Sequence, residues 1–246
     1  MESLESFTCT VERVDLDVET EAPKGHGDYE GLPGLVYRPA GRGPWPAVLC
    51  FHGRRASKFS TFYECSRLAS RGYLTVAFDL PGHGERERIP ENDSRLSPAW
   101  MAPCVVHEAR QVADQVLSRP DVVGGRLAVT GFSLGGSVGL LSLACNPSIQ
   151  AAICFMGKCD YDFLGASLDP WPKLEAREKG HILLVAGTHD PVIDPSEVED
   201  AFHSLRRRCP NLRVEYRHYP LIHTTTAEVE HAAYDWLEYC YPAKGL

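Results

Sequence analysis

The segment GFSLGG, residues 131–136, holds a serine where it could act as a nucleophile. It follows an apolar run at residues 127–129 and precedes a second one at residues 138–141. A strand that ends in Gly-x-Ser-x-Gly and turns at once into a helix exposes the serine hydroxyl above the strand end. Ser133 can do this chemistry only if the chain also supplies a base, an acid and donors for an oxyanion.

The elements that would position this serine follow from the hydrophobic pattern. Continuous apolar runs indicate strands buried on both faces, and they alternate with segments of helical spacing. The pattern predicts strands at residues 10–18, 32–37, 46–51, 73–78, 126–130, 149–156, 181–186 and 212–219. It predicts helices at residues 59–71, 99–118, 134–144, 174–179, 195–208 and 225–239. This alternation indicates an α/β fold with a mostly parallel eight-stranded sheet, helices on both faces, and its first two strands antiparallel at one edge.

Polar or glycine-rich segments follow five of these strands, at the sheet edge where such folds form their active sites. These segments are residues 52–54, 79–84, 131–136, 187–190 and 222–223. In chain order they supply Ser133, then Asp190, then His223. With the serine turn, His-Gly at 52–53 and DLPGHG at 79–84, the chain resembles a small member of the α/β-hydrolase superfamily from about residue 8 to 240.

The resemblance implies a role for each residue of the site. His223 would take the proton of Ser133, and Asp190 would hold the imidazole in the correct tautomer. The backbone N–H groups of Leu134 and Arg54 would form the oxyanion hole.

Other residues compete for the roles of acid and base. Asp194 lies four residues after Asp190, and Asp160 follows the strand after which some members of the superfamily carry their acid. The match of Gly187-x-x-Asp190-Pro-Val to the usual loop favours Asp190.

His189 and His218 compete with His223. His218 lies within a strand and His189 adjoins the acid, so the pattern favours His223, which stands before the last helix. His52 and His83 are expected to make loop hydrogen bonds instead.

The resemblance is closest to compact bacterial carboxylesterases, to dienelactone-hydrolase-like proteins and to the catalytic domain of prolyl-oligopeptidase-like enzymes. It implies hydrolysis of a carboxylic ester of a small or medium molecule through an acyl-enzyme on Ser133. Dienelactone hydrolases proper usually have a cysteine there. A thioesterase, a lactonase or cyclase, and a C–C bond hydrolase or lyase would use the same triad. A non-catalytic binding protein of the same fold is the alternative from another class.

Two insertions are expected to form a small lid, at about residues 85–100 and 157–173. Their aromatic side chains either contact substrate or pack the lid onto the core; they are Trp100, Tyr161, Phe163 and Trp171. Arg54 and Arg55 follow His52-Gly53 at the mouth of the site. They either bind an anionic substrate group or are exposed loop charges.

Composition and motifs argue against several other functional classes. A net charge of −8 and a pI of about 5.7 argue against nucleic-acid binding. The chain shows no secretory signal and no apolar stretch of membrane-spanning length, so we expect one cytoplasmic domain over residues 1–246, as a monomer or homodimer, acting on a small molecule. The nine cysteines lack C-x-x-C spacing and are expected to be reduced. Neither a metal motif nor a nucleotide fingerprint is present, so we expect no cofactor.

Overall fold

The computed structural model of the chain describes residues 6–20, 31–86, 98–159 and 169–243. Its strands are Cys9–Leu16 (β1), Leu32–Pro39 (β2), Trp45–Phe51 (β3), Leu74–Phe78 (β4), Val122–Phe132 (β5), Ile149–Phe155 (β6), His181–Gly187 (β7) and Arg213–Tyr219 (β8). Its helices are Phe62–Ser70 (α1), Pro98–Leu117 (α2), Leu134–Cys145 (α3), Trp171–Glu175 (α4), Pro195–Arg208 (α5) and Ala227–Cys240 (α6). The eight strands and six helices predicted from the pattern are all present.

The strands form one sheet in the order β1-β2-β4-β3-β5-β6-β7-β8. β2 is antiparallel to both of its neighbours, and every other pair is parallel. The predicted α/β fold with an antiparallel edge is therefore confirmed. Because β3 to β8 are parallel, their carboxyl ends meet along one edge, and the segments that follow them can converge there.

Helices cover both faces of the sheet. α2, α3, α4 and α5 pack on one face and α1 and α6 on the other, each with its own apolar core. Central strands such as β4 are buried at every position, whereas edge strand β1 is largely exposed. This explains why the central strands have continuous apolar runs. No helix in the described ranges is long and apolar enough to cross a membrane.

The largest differences from the predicted helix boundaries are at α1 and α4. A 3₁₀ turn occupies Lys58–Thr61, so α1 begins only at Phe62. α4 spans Trp171–Glu175 instead of residues 174–179. Pro172 lies in its first turn, where the fixed backbone angle of proline suits a helix and the absence of an N–H costs no hydrogen bond. The predicted end of α1 is confirmed: Gly72 follows it with φ of 95°.

Candidate active site

The turn between β5 and α3 places Ser133 in a backbone conformation that few residues adopt. Its φ is 55° and its ψ is −118°, and its N–H donates to the carbonyl of Phe155 at 2.8 Å. A Cβ on Gly135 would lie 2.0 Å from the carbonyl oxygen of Phe51, and one on Gly131 would lie 2.3 Å from the backbone of Gly135. The two glycines therefore permit a turn tight enough to hold the serine in this conformation, which costs roughly 1–3 kcal/mol.

Ser133, His223 and Asp190 form one chain of hydrogen bonds. The Ser133 Oγ lies 2.9 Å from Nε2 of His223, and Nδ1 of that ring lies 2.7 Å from Oδ2 of Asp190. Because the carboxylate can only accept, Nδ1 carries the proton and Nε2 is left to accept from the serine. The ring also packs on Phe132, with centroids 4.9 Å apart.

Asp190 is fixed from two sides. Its Oδ1 accepts from the backbone N–H groups of Val192 and Ile193, at 2.8 and 3.0 Å, and its side chain is buried. Asp194 instead caps α5 by accepting from the N–H of Ser196 at 2.9 Å. Asp160, the other competing acid, lies outside the described residues. Of the described candidates, only Asp190 contacts His223.

The competing histidines lie elsewhere. His189 and His218 are exposed and do not contact Ser133. His52 and His83 make the loop hydrogen bonds expected of them: His83 Nδ1 donates to the carbonyl of Pro81 at 2.8 Å. Burial lowers the pKa of His83 and lowers that of His52 to about 4.

His52 supports the loop that carries Arg54. Its Nε2 accepts from the backbone N–H of Leu80 at 3.0 Å, and its Nδ1 donates to the carbonyl of Gly53 at 2.8 Å. This pair of bonds requires a neutral ring, in agreement with its lowered pKa. The imidazole thus ties the segment after β3 to the segment after β4. Leu134 is the first residue of α3, so its N–H has no acceptor within the helix.

An open cleft of about 520 Å³ lies above Ser133 and His223. Apolar, polar and charged side chains line it, including Phe51, Thr61, Phe132, Val192, Arg54, Arg55 and Glu64. Arg54 and Arg55 are exposed, whereas Glu64 is largely buried. Burial, and secondarily the nearby Glu230, raise the pKa of Glu64 to about 7.

Of the aromatic residues predicted to contact substrate, only Trp171 has a described side chain, and it is not among the residues that line this cleft. Trp171 packs on the core at the start of α4, with the guanidinium of Arg208 4.1 Å from its ring centroid. α4 thus carries Trp171 onto the helical layer, and a contact of Trp171 with substrate stays a prediction. Tyr161 and Phe163 lie outside the described residues, as do most of both predicted lid segments. Trp100 lies in the first turn of α2, and its side chain is outside the described residues as well.

Sequence reasoning missed Glu64 and the supporting role of Phe132. The only available signal for Glu64 was its spacing of three residues from Thr61, the residue that precedes α1. In the described ranges no group of three or more His, Cys, Asp or Glu side chains could hold a metal ion. The nine cysteines are free thiols, five of them buried.

The sheet, the serine turn and the three hydrogen-bonded side chains define the α/β-hydrolase class. Within it, the chain belongs to the dienelactone hydrolase family, whose model matches residues 32–235. A solved structure, TT1662 from Thermus thermophilus, superimposes with a TM-score of 0.74 at 26% identity, covering 96% of this chain and 99% of that one.

Two curated relatives match over shorter stretches. The 2,6-dihydropseudooxynicotine hydrolase of Paenarthrobacter nicotinovorans is 32% identical over 139 residues, which is 54% of this chain and 35% of that protein. A putative carboxymethylenebutenolidase of Escherichia coli is 32% identical over 163 residues, which is 63% of this chain and 58% of that protein. The match thus covers about a third of the first relative and less than three fifths of the second.

Proposed function

We propose that this protein is a serine hydrolase that cleaves a carboxylic ester or lactone of a small or medium molecule. The observation that carries the proposal is the hydrogen-bonded chain Ser133–His223–Asp190 facing an open cleft. Membership of the dienelactone hydrolase family supports the same reaction class. The serine distinguishes this chain from relatives that use a cysteine nucleophile.

The first half of the reaction forms an acyl-enzyme. Nε2 of His223 accepts the Ser133 proton as Oγ attacks the carbonyl carbon, and the carbonyl electron pair moves onto its oxygen. The N–H groups of Leu134 and Arg54 stabilise that oxyanion, each contributing about 2.7–4 kcal/mol to lowering the barrier. Collapse of the intermediate breaks the ester C–O bond, and the imidazolium of His223 returns the proton to the departing alkoxide.

The second half regenerates the serine. His223 removes a proton from water, the hydroxide oxygen attacks the acyl carbon, and the Ser133 alkoxide leaves and is reprotonated by the same imidazolium. Asp190 stabilises the positive ring in both halves without taking its proton. For a lactone, the released alcohol and acid are one molecule.

The cleft supports a substrate of small or medium size. Its volume of about 520 Å³ lies within the range of about 300–1,000 Å³ typical of small-molecule pockets. Phe51, Phe132 and Val192 offer apolar contacts to an acyl or alcohol group. Binding of an anionic substrate group by Arg54 and Arg55 at the mouth of the cleft stays a prediction.

Fluorophosphonate labelling with peptide mass spectrometry tests the proposal. We expect an adduct on Ser133 in the wild type, none in Ser133→Ala, and normal labelling in Ser137→Ala, which removes a hydroxyl one turn along α3. Turnover of short p-nitrophenyl esters and of simple lactones should follow the labelling. Arg54→Ala removes the guanidinium but keeps the backbone N–H of residue 54. Comparing its turnover of an anionic and a neutral ester tests whether the Arg54 side chain binds an anionic group. An unlabelled Ser133 would overturn the proposed mechanism.

A further inference from the structure

One acidic side chain of the cleft has no part in the proposed reaction. Thr61 and Glu64 are separated by one helical turn and both line the cleft that holds Ser133 and His223. The adjacent Cys65 points into the core beneath α1. The helix therefore directs a carboxyl group at the space where substrate would bind.

A second, water-sized cavity lies behind Glu64. Its volume is about 10 Å³, close to the smallest space that holds one water molecule. Its lining includes Glu64 together with Cys50, Thr130, Thr225 and Glu230. Glu64 thus stands at the boundary between this cavity and the open cleft.

Glu230 and Glu64 differ in how far neighbouring groups compensate their negative charges. Glu230 accepts hydrogen bonds from Arg67 and from the Thr225 hydroxyl, so its charge is compensated within the protein. The nearby Arg67, which pairs with Glu230, lowers the pKa of Glu64 by less than burial and Glu230 raise it, and among the described residues no cation forms an ion pair with Glu64. A largely buried carboxylate without a paired cation is costly, and such groups concentrate at functional sites.

We propose that Glu64 is a specificity-determining residue that binds a cationic amine group of the substrate in this cleft. The inference rests on the proposed hydrolase function and names a chemical feature of its substrate. An organic cation would supply the ion-pair partner that Glu64 lacks within the described part of the chain. It would lie on the α1 side of the cleft while the ester carbonyl faces Ser133.

The two arginines of the cleft do not oppose this assignment. Arg54 and Arg55 are exposed at the mouth, where salt screens charges over about 8 Å at physiological ionic strength. Glu64 is largely buried, and a buried charge is screened much less. A cation that reaches Glu64 therefore interacts mainly with the carboxylate.

A pair of esters that differ only in charge tests the proposal. Choline butyrate and 3,3-dimethylbutyl butyrate have nearly the same shape, but only the first is cationic. We expect Glu64→Gln to lower the ratio of their kcat/KM values by about tenfold. Glu64→Asp should restore part of the ratio. Glu228→Gln, which removes the same charge from an exposed site on α6, should leave the ratio at its wild-type value.

The pH dependence of this ratio gives a readout that a purely structural role would not change. Deprotonation of Glu64, with its pKa of about 7, should raise the wild-type ratio between pH 6 and pH 8. The other ionisable groups around it include Glu230, Arg67, His223, Arg54, Arg55, Cys50, Tyr37 and Tyr234. All these groups remain in Glu64→Gln, so this variant shows any pH dependence of the ratio that does not come from Glu64. In Glu64→Gln the ratio should be flat.

Calorimetric titration separates this proposal from the proposed reaction. Wild-type protein should bind choline more tightly than 3,3-dimethyl-1-butanol, and Glu64→Gln should lose that difference even if no ester is turned over. A charge preference that Glu64→Gln leaves unchanged, or no preference in the wild type, would overturn the assignment. Absence of Ser133 labelling with choline binding intact would reject only the hydrolase mechanism.

Discussion

At the scale of single residues, the proposed mechanism has Asp190 act through the proton that it fixes on His223. Its two oxygens accept three hydrogen bonds, two from backbone N–H groups and one from the ring. An asparagine of the same shape could keep the backbone bonds through its carbonyl oxygen. Its NH₂ would then face Nδ1 and favour the tautomer in which Nε2 carries a proton. That nitrogen could no longer accept from Ser133.

Asp190→Asn should therefore lower kcat by roughly 10⁴-fold, with a smaller effect on KM. The measurement is steady-state hydrolysis of a short p-nitrophenyl ester at pH 7. Asp194→Asn is the matched control, because Asp194 only caps α5 and asparagine is an equally good cap. Near-normal turnover by Asp190→Asn would show that another acid orients His223.

The three hydrogen-bonded residues of the candidate site could be predicted because each follows a strand and has a residue type suited to its proposed role. Glu64 could not be predicted in this way, since its position depends on the rotation of α1 above the sheet. The packing of Trp171 could not be predicted from the sequence either. Trp171 lies in an insertion expected to form a lid, yet packing against Arg208 holds it on the helical layer.

At the scale of elements, a buried ion pair joins the 3₁₀ turn before α1 to the segment after β4. Nζ of Lys58 lies 2.6 Å from Oδ2 of Asp79, and both side chains are fully buried. Asp79 also accepts from the backbone N–H groups of Lys58 and Glu85, at 2.8 and 2.9 Å. Gly84 allows this close approach, as a Cβ there would lie 2.2 Å from the Asp79 carboxyl.

Lys58→Met should destabilise the protein by about 3–5 kcal/mol, because it leaves Asp79 buried without its cation. Urea unfolding at pH 7 measures the change. Lys158→Met provides the comparison, since Lys158 pairs with Glu197 in an exposed position and its loss should cost at most about 1 kcal/mol. Equal losses in the two variants would mean that the buried pair does not stabilise the junction of these elements.

The presence of the strands and helices could be predicted more accurately than the residues at which they begin and end. Hydrophobic periodicity depends on which face is buried, so it identified the eight strands and six α-helices of the described residues. The ends depend on local hydrogen bonds that the periodicity does not contain. The 3₁₀ turn before α1 is one case, where Ser57 and Ser60 bond each other's backbone in a capping arrangement.

At the scale of the whole molecule, two groups of the cleft region have opposite effects on acid stability. Burial lowers the pKa of His52 from 6.5 to about 4, so its contribution to stability is present above pH 6.5 and is lost as the pH falls towards 4. Burial raises the pKa of Glu64 from 4.5 to about 7. Its contribution is present below pH 4.5 and is lost as the pH rises through 7.

Glu64→Gln should therefore gain stability relative to the wild type as the pH rises from 4.5 to 8. The shift in pKa corresponds to about 1–3 kcal/mol once the partial exposure of Glu64 is allowed for. For a chain of this length each kcal/mol moves Tm by about 2–4 °C. Differential scanning calorimetry of the two proteins at both pH values, with Glu228→Gln as the exposed control, measures the gain. A difference in Tm that does not change with pH would show that Glu64 is ionised without cost. A gain in Tm together with lost selectivity for choline butyrate would show that the carboxylate is retained for binding at the expense of stability.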